Sequence, residues 1–103
     1  MKDFIRIHWQ TKLQLSSVFG RLVAALPAFQ WRQGDSDMQG AYISGTNPGG
    51  AQIKLWFAEQ PVDVTVSFRA ANISESEASA LVDQLVVELL PSMGEIVRVG
   101  GLD

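Results

Sequence analysis

The 103-residue chain predicts an α+β, two-layer sandwich, in which a mainly antiparallel sheet carries two helices on one face. Three observations support that expectation. Apolar and polar residues alternate with period two from Ile5 to Leu15 and again from Ile53 to Phe68, the rhythm of strands with one buried face. Stripes with the 3.6-residue period of a helix run through Leu26 and from Ala78 to Leu90. Between them the breaks are short, Gly45-Thr46-Asn47-Pro48-Gly49-Gly50 and Glu59-Gln60-Pro61, so the strands they join pair most economically as an antiparallel meander.

In the first strand Ile5, Ile7 and Trp9 take one side, and Arg6, His8 and Gln10 the other. Its end is ambiguous. Alternation continues through Leu15, while Thr11 and Gln14 have the spacing of a capping box, so a helix begins near either Thr11 or Ser16. A strand to about Gln10 and a helix established by Ser17 accommodate both signals. Leu15, Val18, Phe19, Leu22 and Leu26 form the helix stripe, and Pro27 stops it because proline has no N–H to donate and clashes with the preceding turn. Gly20, inside that helix, suits a close approach to the sheet.

Phe29 and Trp31 suggest a short strand, and Gly34-Asp35-Ser36-Asp37 is a turn sequence. Met38 to Ser44, Gln52 to Ala58 and Val62 to Arg69 follow as strands. Ser74 with Glu77 is a second capping box, where orphan N–H groups at a helix start need acceptors. The helix it opens buries Ala78, Leu81, Val82, Leu85 and Leu89. Val86, Val87 and Leu90 widen that stripe beyond one face, which implies extra burial under a loop or against a second copy. Pro91 and Gly94 end it, and Glu95 to Val99 form a last strand. The expected core is Ile5, Ile7, Phe19, Leu22, Leu55, Val64, Val66, Leu81 and Leu85.

At this length one domain spanning residues 1–103 with one core is expected. The β-α-β-β-β-α-β order resembles a ferredoxin-like plait with an enlarged meander, a likeness of architecture that supplies no activity. Absence of cysteine excludes disulfides and thiolate metal sites, and the single histidine, His8, leaves only carboxylates to complete a metal shell. Neither a metal nor a cofactor is expected. No apolar signal core precedes the first strand and no stretch reaches the roughly 18 apolar residues of a membrane span, which points to a cytoplasmic protein without membrane association. Asn72-Ile73-Ser74 matches a glycosylation sequon, which matters only on a secretory route.

A net charge of -3 argues against a dedicated nucleic-acid binder, whose phosphate contacts need clustered Lys and Arg. The distribution is uneven: residues 1–34 carry +4 and residues 35–103 carry -7. Such asymmetry marks two faces or cancels when the halves mingle in the fold, and cancellation is the expectation.

Asp35-Ser36-Asp37 offers two oxygens to a hard cation but lacks the other positions of a calcium loop, so it reads as a turn. The glycine-rich 45–50 segment leads into a strand, whereas a phosphate cradle leads into a helix, so it reads as a hairpin connection. Serines, His8 and aspartates are present without a nucleophile-elbow spacing, and Glu75 and Glu77 are explained by capping. Trp56 differs. In Ile53-Lys54-Leu55-Trp56-Phe57 the inward phase belongs to Ile53, Leu55 and Phe57, so Trp56 points away from the helices with Gln52 and Lys54 unless a bulge or a second layer covers it.

Arg6, His8 and Gln10, then Asp63, Thr65, Ser67 and Arg69, share that outer side. A mixed polar face with one large aromatic suits a protein partner better than single-stranded nucleic acid, which stacks on several aromatics. The leading expectation is therefore a non-catalytic protein-interaction domain, with Trp56, Lys54, Arg6, His8 and Arg69 as the binding residues. Through the open sheet face or the broad apolar second helix it either self-associates as a homodimer or serves as an accessory partner or as an acidic inhibitor or immunity-type partner of a basic enzyme, the last suggested by the charge of residues 35–103. The alternative is a small-molecule module or minor enzyme with a pocket between sheet and helices.

Overall fold

The computed structural model describes residues 4–38, 40–58, 60–68 and 74–101. One six-stranded sheet has the order β2-β3-β4-β5-β1-β6, with every neighbouring pair antiparallel. The strands are β1 (Phe4–Thr11), β2 (Gln30–Ser36), β3 (Gly40–Thr46), β4 (Ala51–Trp56), β5 (Val62–Phe68) and β6 (Gly94–Gly101). Helix α1 (Leu15–Ala25) lies between β1 and β2 in the chain, and a second rod, which begins as α2 (Glu75–Asp83), lies between β5 and β6. Both pack on the same face of the sheet. This is the order of a ferredoxin-like plait. Its central hairpin is enlarged to a four-strand meander, because the segment after Phe29 forms a full seven-residue strand.

Alternation decides what meets the helices. Strands β4 and β5 bury Ala51, Ile53, Leu55, Val62, Val64, Val66 and Phe68, with half-exposed residues between them. Strand β1 adds Ile7 and Trp9, and the helices contribute Val18, Leu22, Leu26, Ala78, Leu81, Leu85, Leu89, Leu90 and Met93. Of the core expected from the sequence, Ile5 and Phe19 pack at its margin and the rest are buried. Each fully buried valine, leucine or isoleucine among them contributes about 1.5–3 kcal/mol relative to exposure.

The broad stripe of the second rod has a geometric explanation. Helix α2 runs on into a π-helical segment, Gln84–Leu89, and then into a last α-helical turn, α3 (Leu90–Met93). The Leu90 N–H bonds the carbonyl of Leu85, five residues back, so both side chains reach the core. Neither a loop nor a second copy is needed to bury Leu90. Val86 is half-buried and Val87 stays 69% exposed. Pro91 does not end the rod. A proline clashes with the carbonyl four residues back in a regular helix, and the wider π turn just before it gives that carbonyl room.

Helix ends leave carbonyls without partners. Here β1 supplies two of the missing donors. The buried Trp9 indole N–H donates to Leu90 O at 3.0 Å, and the Thr11 hydroxyl donates to Met93 O at 2.7 Å. Strand β6 then begins at once, and a Cβ on Gly94 would stand 2.1 Å from the Gln10 carbonyl, so glycine is required for this close approach. Thr11 is therefore no cap for α1; Gln14 takes that position without a side-chain bond, and the helix begins at Leu15. Ser74 does cap α2, accepting from the Glu77 N–H at 3.2 Å and donating to Glu77 Oε1 at 3.0 Å.

Leu85→Ala should lower the unfolding free energy by about 2–5 kcal/mol in urea melts, through lost contacts and a residual cavity; an unchanged midpoint would place Leu85 outside the core. Trp9→Phe should cost about 1–3 kcal/mol by leaving a buried carbonyl unpaired, read in the same melts.

Candidate interaction face

Strand pairing brings the outward residues into transverse rows. One row reads Gly34, Tyr42, Trp56, Asp63, His8 and Arg98 across β2, β3, β4, β5, β1 and β6. The row beside it reads Arg32, Ser44, Lys54, Thr65, Arg6 and Gly100. Four of the residues named from the sequence, Trp56, Lys54, Arg6 and His8, thus lie together on the face away from the helices. Arg69 lies outside the described residues, as do Asn72 and Ile73 of the sequon.

Trp56 is half-buried, and what covers it is its own row. Tyr42, directly opposite on β3, tilts against it at 48° with ring centroids 5.2 Å apart. The Lys54 ammonium stands 5.0 Å from the Trp56 ring centroid and 5.6 Å from that of Tyr42, in reach of both quadrupoles. Tyr42 in turn lies on Gly34, where a Cβ would stand 2.7 Å from the ring. This overturns the reading of Gly34-Asp35-Ser36-Asp37 as a turn. The first three of those residues belong to β2, and Asp37 with Met38 begins the turn to β3. A glycine in a strand weakens it unless an aromatic from the neighbouring strand covers the gap, which Tyr42 does here.

Asp63 is the acidic member of the row. Its Oδ1, shielded from solvent and without a hydrogen bond, lies 3.3 Å from Arg6 Nε and 4.0 Å from His8 Nε2. The second distance is too long for a hydrogen bond, so Asp63 does not orient His8 as a catalytic base would be oriented.

The charges sort by face. Arg6, Arg32, Lys54 and Arg98 lie on the open sheet with Asp63, and with Glu95 at its margin opposite Gln10. The helical side carries Glu75, Glu77, Asp83 and Glu88 against Arg21. Residues of both halves of the chain thus mingle on the open face, where cations outnumber carboxylates among the described residues. Tyr42, Arg32 and Arg98 were missed because attention to single strands does not show which residues share a row; the outward phase of Met38 to Ser44, opposite to Ile43, was signal enough to find Tyr42.

The remaining motifs are structural. In the 45–50 segment the Asn47 N–H bonds Ala51 O, the Gly50 N–H bonds Asn47 O and the Ala51 N–H bonds Asn47 Oδ1, closing a hairpin turn with Gly50 at φ +94. A cavity of 550 Å³ beside it contains no ionisable group among its lining residues. A 460 Å³ depression lined by Lys12, Gln60, Met93 and Glu95 opens at the end of β1 and not between sheet and helices. Its Gln60 amide oxygen accepts from the Thr11 N–H at 3.3 Å. Among the described residues no helix is long and apolar enough to cross a membrane.

No protein-family model, curated protein or solved structure matches the chain. Its chemistry is therefore read from the face alone.

Among the described residues no cluster of three or more His, Asp or Glu is arranged to hold a metal ion. Thermal melts with and without a chelator should coincide; a melt lowered by chelation and restored by one particular cation would overturn that expectation.

Proposed function

We propose that the chain is a non-catalytic interaction domain that docks a cytoplasmic partner protein on its open sheet face, in an accessory or inhibitor role. The observation that supports this best is the cluster of Tyr42, Trp56 and Lys54, held half-exposed on paired strands and flanked by arginines. Trp, Tyr and Arg supply most of the energy at protein interfaces. Rings already fixed by strand pairing lose little freedom on binding.

A second copy is a poor occupant of this face. Stacking two open sheets would bring the cations Arg6, Arg32, Lys54 and Arg98 of one copy over a face with the same excess of positive charge, and such like-charge juxtaposition costs several kcal/mol. Single-stranded nucleic acid also fits less well, because Asp63 stands next to Trp56 in the aromatic row, where its carboxylate would repel a phosphate backbone.

A photo-crosslinking residue at position 56 should trap one discrete polypeptide in the source cell, whereas the same group at position 79 on α2 should not. Trp56→Asp should weaken the isolated complex by about 2 kcal/mol or more with an unchanged circular dichroism spectrum. Crosslinks from position 79 alone would move docking to the helical side.

A further inference from the structure

Resting on that reading of the open face, we propose that its occupant is an acidic, proline-rich segment of the partner, lying across the strands in the polyproline II conformation. The spacing of the cations carries this. Arg32, Lys54 and Arg6 stand in one transverse row on β2, β4 and β1, with Ser44 and Thr65 on the strands between. Adjacent strands are about 4.8 Å apart, so the backbone positions that carry successive cations of the row sit about 10 Å apart.

An extended β-chain cannot match that row well, because residues three apart point to opposite sides. A polyproline II chain has three residues per turn and rises about 3.1 Å per residue, which puts every third side chain on one side at about 9.3 Å. Acidic residues at every third position would face Arg32, Lys54 and Arg6 in turn. The aromatic row runs parallel, two residues along each strand, where Tyr42 and Trp56 present ring surface to the prolines. Proline-rich ligands dock on aromatic surfaces in this conformation because it is largely formed before binding.

The electrostatics agree with this occupant. Among the described residues no carboxylate pairs with Arg32 or Lys54, while Arg6 pairs with Asp63. Carboxylates of the ligand would therefore meet two cations that no carboxylate among the described residues engages, and one shared with Asp63.

Fluorescence anisotropy at low ionic strength tests the proposal with four labelled probes of equal length. The first is a peptide of four Glu-Pro-Pro repeats, the second its block isomer, in which all the glutamates precede all the prolines, the third a peptide of four Glu-Ser-Ser repeats, and the fourth an oligothymidylate. The spaced peptide should bind at least fivefold more tightly than the block isomer, and added salt should weaken it. Lys54→Glu and Arg32→Glu should each reduce its affinity at least fivefold, with folding checked by circular dichroism. Tyr42→Ala should erase the preference for Glu-Pro-Pro repeats over Glu-Ser-Ser repeats. Equal binding of the two isomers, or binding indifferent to Lys54→Glu, overturns the proposal, and tighter binding of the oligothymidylate replaces it with a nucleic-acid surface. If position 56 crosslinks to a protein without such a segment, the docking face stands and this occupant falls. If position 56 crosslinks to nothing, the face itself falls.

Discussion

The junction between Trp9 and the end of the second helical rod governs the rest of the fold. The rod ends in carbonyls that need donors, and β1 provides them through the Trp9 indole and the Thr11 hydroxyl. Because Trp9 is fully buried, its bond to Leu90 holds the rod at one rotation and one height above the sheet. The π turn is compatible with that fit, since it aligns Leu85 and Leu90 on the core side and accommodates Pro91. Gly94 then lets β6 leave the rod directly and lie against β1. Moving Trp9 would disturb a helix end, a strand start and the core together.

The same constraint defines the open face. With Trp9 inward, strict alternation sends His8 and Arg6 outward, and antiparallel pairing sets them beside Asp63 and Thr65. Two glycine–aromatic pairs carry the order across the meander. Tyr42 lies over Gly34 on the open side, and Trp31 lies over Gly45 on the helical side while its indole N–H bonds Leu26 O at 3.0 Å. Trp31 also stacks on Phe29 with centroids 5.4 Å apart, so the edge strand is tied to the end of α1. The aromatic surface on the open face thus rests on an edge strand anchored from beneath.

Much of this was legible in the sequence, and the failures share a cause. Period-two alternation identified the inward phase of β1, β4 and β5, because one face is buried and a one-residue slip would expose Ile53 and Leu55. The Ser74 cap was readable because its partners lie three residues apart. What remained hidden depends on distant residues. Gly34 reads as a turn residue until Tyr42 is seen to cover it, and Thr11 reads as a cap until Met93 is seen to take its hydroxyl. Pro91 reads as a stop until the π turn is known. The face was half legible for the same reason: Trp56, Lys54, Arg6 and His8 follow from strand phase, whereas the rows that join them to Tyr42, Arg32 and Arg98 follow only from register.

Asp63 shows how a face rich in cations is kept stable while staying cationic. Arg6, Lys54 and Arg98 would repel one another across the β4-β5-β1-β6 part of the sheet, and one carboxylate among them lowers that cost. Its ion pair with Arg6 is partly exposed, at 53% and 36%, so its net contribution to stability is about 0–1 kcal/mol. The larger effect is directional. A carboxylate arriving at β1 competes with Asp63 for Arg6, while one arriving at β2 or β4 meets Arg32 or Lys54 without an internal competitor among the described residues. Attraction along the row is therefore graded, strongest at the β2–β4 end where Tyr42 and Trp56 also lie. Charge and ring surface thus gather at the same end of the open side, so an asymmetric ligand of the proposed kind would have one favoured direction across the strands.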